Sequence, residues 1–283
     1  MIWTALALTT GLYLTQVNDK QVLLCETELI QPCLQELSPD ARRQLPAIAA
    51  EVNTLLGVRG AMVLPLQDTD IAGVILLDRE QLPHSLSVEL SGSLHSFTLA
   101  QQLEVTLLHE TGHLEAIALL ESGVIDTLSS YRHEWIADCY LIWRLAKEGK
   151  GLDLAWQQYH RRNVNMMQSV ENISHWTVPI MAQVFEHYDV EQLVKFDSFN
   201  GFMQDALPKL SEESQDSLDE FASLFHRTFS TQVMHFLPDY MFWRKPVLGQ
   251  LLEPTLVTLL GEPAAREWMK NQKLPSKMSL QRF

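Results

Sequence analysis

Two pairs of polar residues with helical spacing lie close together in the middle of the chain. His109 and His113 are four positions apart, and so are Glu134 and Asp138 a short distance further on. Side chains separated by four positions leave the same face of an α-helix. The pattern therefore predicts two helices in series, each presenting one pair of side chains to a common site.

The first pair lies in a segment that is mostly apolar, which predicts a helix through a core and not on a surface. We expect this helix to start at Thr98, because Thr98 and Gln101 form a capping-box pattern, and to stop near Gly123. Gly112 lies between the two histidines of the pair. A glycine inside a helix leaves room beside it for another element of the chain.

The residues of the two pairs suit a metal site. His109 and His113 can bind one ion from the same helix face, and neutral imidazole nitrogens suit zinc. Glu110 is then placed to take a proton from water instead of ligating the metal. A zinc site needs a third protein ligand, for which we predict Glu134, and Asp138 could accept the outer N–H of a ligating histidine.

His133 precedes Glu134 and is also a candidate ligand. It lies about 100° around the helix from Glu134, so the two side chains do not share a face. We interpret His133 as a partly exposed residue at the start of the helix.

The sequence His109-Glu110-Thr111-Gly112-His113, followed by Glu134-Trp135-Ile136-Ala137-Asp138, resembles the gluzincin zinc metallopeptidases. The glycine and the E-x-x-A-D pattern are similar to those of the HtpX-type and ImmA/IrrE peptidases. The resemblance covers about residues 98–145. The HtpX type has its glutamate much further along the chain, and ImmA/IrrE proteins usually have Asn at the position of Asp138.

This resemblance implies a zincin-like fold and a zinc metalloendopeptidase that cleaves peptide or protein substrates. It implies zinc ligands at His109, His113 and Glu134, a general base at Glu110 and a supporting carboxylate at Asp138. Such enzymes usually add a histidine or tyrosine that stabilises the oxyanion.

For the oxyanion role we predict His175, which lies in a polar break between two helices, with Tyr131 as the alternative. We interpret His160 as lying on a solvated helix face. Substrate peptides in this class pair with an edge strand, and the segment Leu86–Leu90 precedes the first helix and alternates like a half-exposed strand.

Two other functions remain open at this stage. The chain could be a zincin-like, metal-stabilised binding or regulatory module without peptidase activity, although a retained Glu110 argues against it. A di-iron carboxylate bundle would use Glu104, Glu110, Glu134 and His113. Such bundles carry two E-x-x-H helices, and the second is missing here because residue 137 is alanine.

The rest of the chain predicts an α+β fold. Residues 1–125 would form a zincin-like subdomain with a small sheet and the His109 helix, and 126–283 an all-α subdomain with the third ligand. The spacing of apolar residues and the capping and breaking residues predict strands at 61–65, 73–77 and 86–90. They predict helices from Ser38 to Gly57 and over 130–146, 152–169, 177–188, 191–206, 212–236, 246–260 and 264–271.

Composition and the N-terminal segment constrain partners and location. The chain has 21 Lys and Arg against 35 Asp and Glu, which argues against nucleic acid as a partner. Residues 1–16 lack the basic start of a signal peptide, so we predict strands there, with turns at 9–11 and 18–20, and a signal peptide or membrane anchor as the alternative. We expect no other segment to span a membrane, because none approaches about 18 apolar residues. The lack of a basic start favours a cytoplasmic over a periplasmic or secreted location. Cys25 and Cys33 would form a disulfide in an exported chain and would otherwise be small core residues.

Overall fold

The computed structural model describes residues 12–171, 173–229 and 243–275. The predicted α+β class is confirmed, with a small sheet near the N-terminus and a helical C-terminal part. Contacts group the chain into two compact units. Among the described residues, unit 1 contains 12–83, 101–154 and 190–205, and unit 2 contains 84–100, most of 155–189, 206–229 and 243–275.

Unit 1 contains a four-stranded sheet with the order β1-β2-β4-β3. Its strands are β1 (Leu12–Val17), β2 (Lys20–Glu26), β3 (Ala61–Pro65) and β4 (Ile71–Leu77). A tight turn joins β1 to β2, and Asn18 has a left-handed φ of 53° there, which asparagine tolerates better than most residues. The predicted turn at 18–20 and the strands at 61–65 and 73–77 are confirmed. The turn predicted at 9–11 lies outside the described residues.

Successive residues of each strand point to opposite sides of the sheet. Apolar side chains lie on both sides, and helices cover both faces. On one face pack three short helices, α1 (Ile30–Leu34), α2 (Pro39–Arg42) and α3 (Ala49–Leu56). On the other face packs the long helix α4 (Gln102–Glu121), through Leu114 and Ala118. Ser38 caps α2 as its sequence predicts, but the single helix predicted from Ser38 to Gly57 is wrong: the chain breaks between Arg42 and Ala49, where Pro46 lacks the N–H that a helix needs.

The start predicted for α4 is also wrong. Thr98 is the last residue of strand β6 (Ser93–Thr98), and the helix begins at Gln102. Gln101 precedes the helix in a left-handed conformation with φ of 47°, and its side chain makes no cap. The pairing of β6 with β5 (Ser85–Leu90) holds Thr98 extended and overrides the local capping pattern.

Helix α5 (Ser130–Lys147) belongs to unit 1 with α4, and the side chain of Ser129 caps it by accepting a hydrogen bond from the N–H of Arg132.

The helix predicted over 191–206 is two pieces, α8 (Val190–Leu193) and α9 (Phe199–Ala206). The division of the chain into subdomains 1–125 and 126–283 stays a prediction.

Unit 2 contains the β5–β6 hairpin, all but the first two residues of α6 (Asp153–Gln168), and the helices α7 (Val178–His187), α10 (Gln215–Phe229), α11 (Arg244–Leu260) and α12 (Glu262–Asn271). A buried amide lies at its centre. Asn163 donates to the carbonyl of Leu251 and to Thr255, and its side-chain oxygen accepts from the indole of Trp176. Satisfying every polar atom of a buried amide in this way ties α6 to α11. Residues 230–236 of the helix predicted over 212–236 lie outside the described residues.

No helix in the described part of the chain is long and apolar enough to cross a membrane. Of the segment 1–16 considered as a signal peptide, residues 12–16 lie in β1 and the others are not described.

Cys25 and Cys33 form a disulfide, with their Cα atoms 5.6 Å apart. Both residues are fully buried in the cluster between the sheet and helices α1–α3. The bond joins β2 to α1 across a separation of eight residues. Of the two alternatives that the sequence left open, the structure contains the disulfide.

Removing this bond should destabilise unit 1. For a loop of this length, the chain-entropy estimate gives a loss of about 2.5 kcal/mol in the free energy of unfolding. In denaturant titrations, we expect the free energy of unfolding of the Cys25→Ala/Cys33→Ala variant to be lower than that of wild type by about this amount. Wild type should lose a similar amount when reductant is added. Reductant should leave the double variant unchanged; an equal effect of reductant on both proteins would contradict the prediction.

Candidate metal centre

The structure brings His109, His113 and Glu134 together in unit 1. One ligand atom from each lies within 4.8 Å of the others. The Nε2 atom of His109 is 3.4 Å from one carboxylate oxygen of Glu134, and the Nε2 atom of His113 is 3.7 Å from the other. The side chains are 12%, 8% and 13% exposed, so the three ligand atoms meet in a largely buried place with some access to solvent.

This donor set fits a zinc ion. Two imidazole nitrogens and one carboxylate are the three protein ligands of a common class of catalytic zinc site, in which the fourth position is left for water or substrate. Ligands at about 2.0–2.1 Å in a tetrahedron would be about 3.3 Å from each other. The separations of 3.4 and 3.7 Å between the histidine nitrogens and Glu134 are close to that value.

Asp138 is fully buried beside His109, and its Oδ1 atom lies 2.9 Å from the Nδ1 atom of that ring. This carboxylate oxygen accepts a hydrogen bond from Nδ1–H. The bond fixes the tautomer of His109 and leaves the lone pair of its Nε2 atom directed toward Glu134 and His113. One turn of α5 therefore supplies both a candidate ligand and the group that orients another ligand.

Gly112 allows α4 and α5 to approach closely enough for this arrangement. A Cβ atom built on Gly112 would lie 2.6 Å from the Cα atom and 2.7 Å from the carbonyl oxygen of Ala137. Real Cβ atoms do not come that close to backbone atoms, so only glycine fits. The room that the sequence predicted beside Gly112 is occupied by the backbone of α5, between Glu134 and Asp138.

Glu110 follows His109 on α4 and is partly exposed. Around the helix axis it lies about 100° from His109 and about 60° from His113, which is three residues further on, so it shares a helix face with His113. Its partial exposure is what a group that exchanges protons with water requires.

His133 is more closely involved than its sequence context indicated. Its Nε2 atom is 3.0 Å from the carbonyl oxygen of His113, and the centres of the two rings are 4.4 Å apart. No sequence pattern predicts this contact, because it depends on how far α5 is offset along α4. His133 is partly exposed in the first turn of α5, as the sequence predicted, and it also contacts His113.

The predicted oxyanion residues lie in different units. Tyr131 is buried in the first turn of α5 in unit 1. His175 is exposed at the end of a short 3-10 turn in unit 2, where it lines a cavity of about 320 Å³ together with Arg161 and Arg162. The structure gives no geometry that assigns either residue to the oxyanion, and His175 stays a prediction.

His160, expected on a solvated face, is half-buried in unit 2. Its Nδ1 atom is 3.0 Å from the hydroxyl of Thr255, and burial lowers the pKa of its ring to about 4. The prediction of a solvated position is wrong, because α11 covers this side of α6. His160 is thus a neutral structural histidine near neutral pH.

The set of carboxylates for a di-iron centre is not assembled. Glu104 pairs with the ammonium group of Lys150, which also pairs with Glu148. Among the described residues, the one group of histidines, cysteines and carboxylates spaced for a metal ion is His109, His113 and Glu134.

Two ionisable groups near these residues in sequence lie away from the site. Glu115 is two residues beyond His113, about 200° around α4, and burial raises the pKa of its carboxyl to about 7 against the opposing effect of Arg144. Burial also raises the pKa of the Cys139 thiol far above neutral, so this free cysteine stays protonated and unreactive.

The chain was compared with models of protein families, with curated proteins and with solved structures, and none of them matches it. The resemblance to the gluzincins therefore depends on the motif residues alone.

Replacing Gly112 with alanine should disrupt the contact between α4 and α5. Because the new methyl group would overlap the backbone of Ala137, we expect the free energy of unfolding to fall by at least about 2 kcal/mol, and zinc binding to weaken with it. Gly201→Ala is the matched control: Gly201 lies in helix α9, and a Cβ there meets only the Ser198 hydroxyl at 3.4 Å. Equal stability of the two variants would contradict the prediction.

Zinc affinity should follow the order wild type, then Asp138→Ala, then Glu134→Ala. Loss of the carboxylate that orients His109 should weaken binding by roughly 10–100-fold. Loss of Glu134 removes a ligand and should weaken it further. Competition with a chromophoric chelator measures the order, with Asp126→Ala as control because the Asp126 side chain is 93% exposed. Wild-type affinity in Glu134→Ala would mean that Glu134 is not a ligand.

Proposed function

We propose that this protein is a zinc-dependent metallopeptidase of the gluzincin type. The observation that supports the proposal best is the convergence of His109, His113 and Glu134 with their ligand atoms within 4.8 Å, beside a partly exposed Glu110. The buried bond between Asp138 and His109 supports it too, since a carboxylate that orients a ligating histidine is a common feature of zinc sites.

In this proposal each residue has one role. His109, His113 and Glu134 hold the metal, and Asp138 holds His109 in its ligating tautomer. Zinc bound there would lower the pKa of water and polarise the substrate carbonyl. Glu110 takes a proton from the attacking water and delivers it to the amide nitrogen as the peptide C–N bond breaks. The oxyanion donor is His175 or Tyr131.

The substrate would lie along an edge strand, and we now propose β3 for this role instead of β5. Strand β5 pairs with β6 in a separate two-stranded sheet, whereas β3 is at one edge of the four-stranded sheet on which α4 packs. On the side of β4, the carbonyl of Gly60 accepts a hydrogen bond from the N–H of Asp78, and the N–H of Leu66 donates to the carbonyl of Ala72. Successive residues of a strand direct their backbone N–H and C=O groups to alternate sides. The N–H and C=O groups of Ala61 and Val63 therefore face away from β4, where an extended peptide could pair with them.

We also propose that the protein works in an oxidising compartment. The disulfide between Cys25 and Cys33 is fully buried in the core of unit 1. Structural disulfides persist in the periplasm, in the secretory pathway and outside cells, and are rare in the cytosol. The bond favours a periplasmic or secreted location over the cytoplasmic one that the first residues indicated.

The Glu110→Gln variant tests the proposed chemistry. We expect it to bind zinc with nearly wild-type affinity and to lose peptide hydrolysis by about 10²–10⁴-fold, because glutamine cannot accept the proton. Hydrolysis of a broad peptide library, followed by mass spectrometry, measures this effect. Glu121→Gln on the exposed end of α4 is the matched control and should keep full activity.

The same experiment separates the peptidase from a metal-stabilised binding module. A module would lose thermal stability when a chelator removes zinc, yet show no hydrolysis in wild type and no change in Glu110→Gln. Purified wild type without stoichiometric zinc would contradict both functions.

A further inference from the structure

Helix α5 contacts α4 at three successive levels, and His133 forms one of them. At one end, Asp138 accepts a hydrogen bond from His109. In the middle, the backbone of Ala137 fills the space beside Gly112. At the other end, the ring of His133 meets His113. Since α4 and α5 run in opposite directions, the later residue of α5 meets the earlier residue of α4.

The hydrogen bond of His133 defines its tautomer. A backbone carbonyl can only accept a hydrogen bond, so the Nε2 atom of His133, 3.0 Å from the carbonyl oxygen of His113, must carry the proton. The bond joins the residue just before the third candidate ligand to the backbone of the second. It therefore sets the distance between the start of α5 and the turn of α4 that carries His113.

The ring of His133 has a second effect. The ring of His113 lies between two others, with its centre 4.6 Å from that of His109 and 4.4 Å from that of His133. The side chain of His113 is only 8% exposed. A ring confined on both sides cannot change its rotamer freely, so its Nε2 atom keeps its direction toward Glu134 when no metal is bound.

We propose that His133 is a positioning residue of the metal site. By donating to the carbonyl of His113, with the ring contact as the smaller contribution, it holds Glu134 and His113 at ligating distance before the ion binds. The proposal extends the proposed function, because it assumes that these residues bind zinc, but it does not require that the bound zinc hydrolyses peptides. Residues that orient ligands typically change metal affinity by about 10–100-fold.

Three substitutions separate the hydrogen bond from the ring contact. Glutamine places an amide N–H at nearly the reach of the histidine Nε2 atom, asparagine is one bond too short, and phenylalanine keeps a ring without a donor. We expect zinc affinity within about threefold of wild type for His133→Gln, and roughly tenfold weaker binding for His133→Asn and His133→Phe. The matched control is His84→Phe, since His84 is an exposed histidine of unit 2.

The measurements are the zinc dissociation constant by chelator competition, the visible spectrum of the Co²⁺-loaded protein, and the unfolding free energy of the metal-free protein. A positioning role predicts weaker zinc binding and altered Co²⁺ bands in the Asn and Phe variants, with rescue of both by Gln. If Phe prevents folding, the comparison of Gln with Asn decides alone.

Wild-type zinc affinity in both His133→Asn and His133→Phe would overturn the proposal. So would a loss in His133→Gln as large as in His133→Asn, because the donor would then not matter. Failure of the proposed function looks different: wild type would bind zinc without hydrolysing peptides, while the ordering of the His133 variants would remain.

Discussion

The close approach of α4 and α5 at Gly112 and Ala137 is the contact on which the candidate site depends. A Cβ atom at position 112 would lie 2.6 Å from the Cα atom of Ala137, so any side chain there would push the backbone of α5 away from α4. Glu134 and Asp138 lie on either side of Ala137 along α5. Their distances of 3.4 and 2.9 Å from the nitrogens of His109 exist only because the two helix backbones touch.

Rigid surroundings keep this contact in place. On its other side, α4 packs through Leu114 and Ala118 against the four-stranded sheet. The opposite face of the sheet is covered by three short helices, and the buried disulfide between Cys25 and Cys33 ties one of them to β2. Ligands carried on helices that are packed in this way are held more accurately than ligands on loops. The disulfide lies on the sheet face opposite α4 and contributes to the same rigidity.

The electrostatics of the site follow from burial. A fully buried carboxylate such as that of Asp138 is costly unless hydrogen-bond donors surround it, and the Nδ1–H group of His109 is one of them. The carboxylates of Glu134 and Asp138 also place negative charge beside the imidazole nitrogens, where a divalent cation would be stabilised. By contrast, burial raises the pKa values of partly buried Glu115 and fully buried Cys139, so both groups keep their protons more readily and add less charge to unit 1.

The sequence alone determined the properties that depend on local geometry. Four-residue spacing placed His109 with His113 and Glu134 with Asp138 on common helix faces, and the turn at 18–20 and several strands followed from short-range patterns. Only the tertiary structure decided which histidine Asp138 contacts, that His133 reaches the carbonyl of His113, and that β3 is the edge strand of the sheet beneath α4. The physical reason is that helical periodicity fixes the direction of a side chain about its own axis. The partner that it meets depends on the offset and distance between helices, which packing over the whole unit sets.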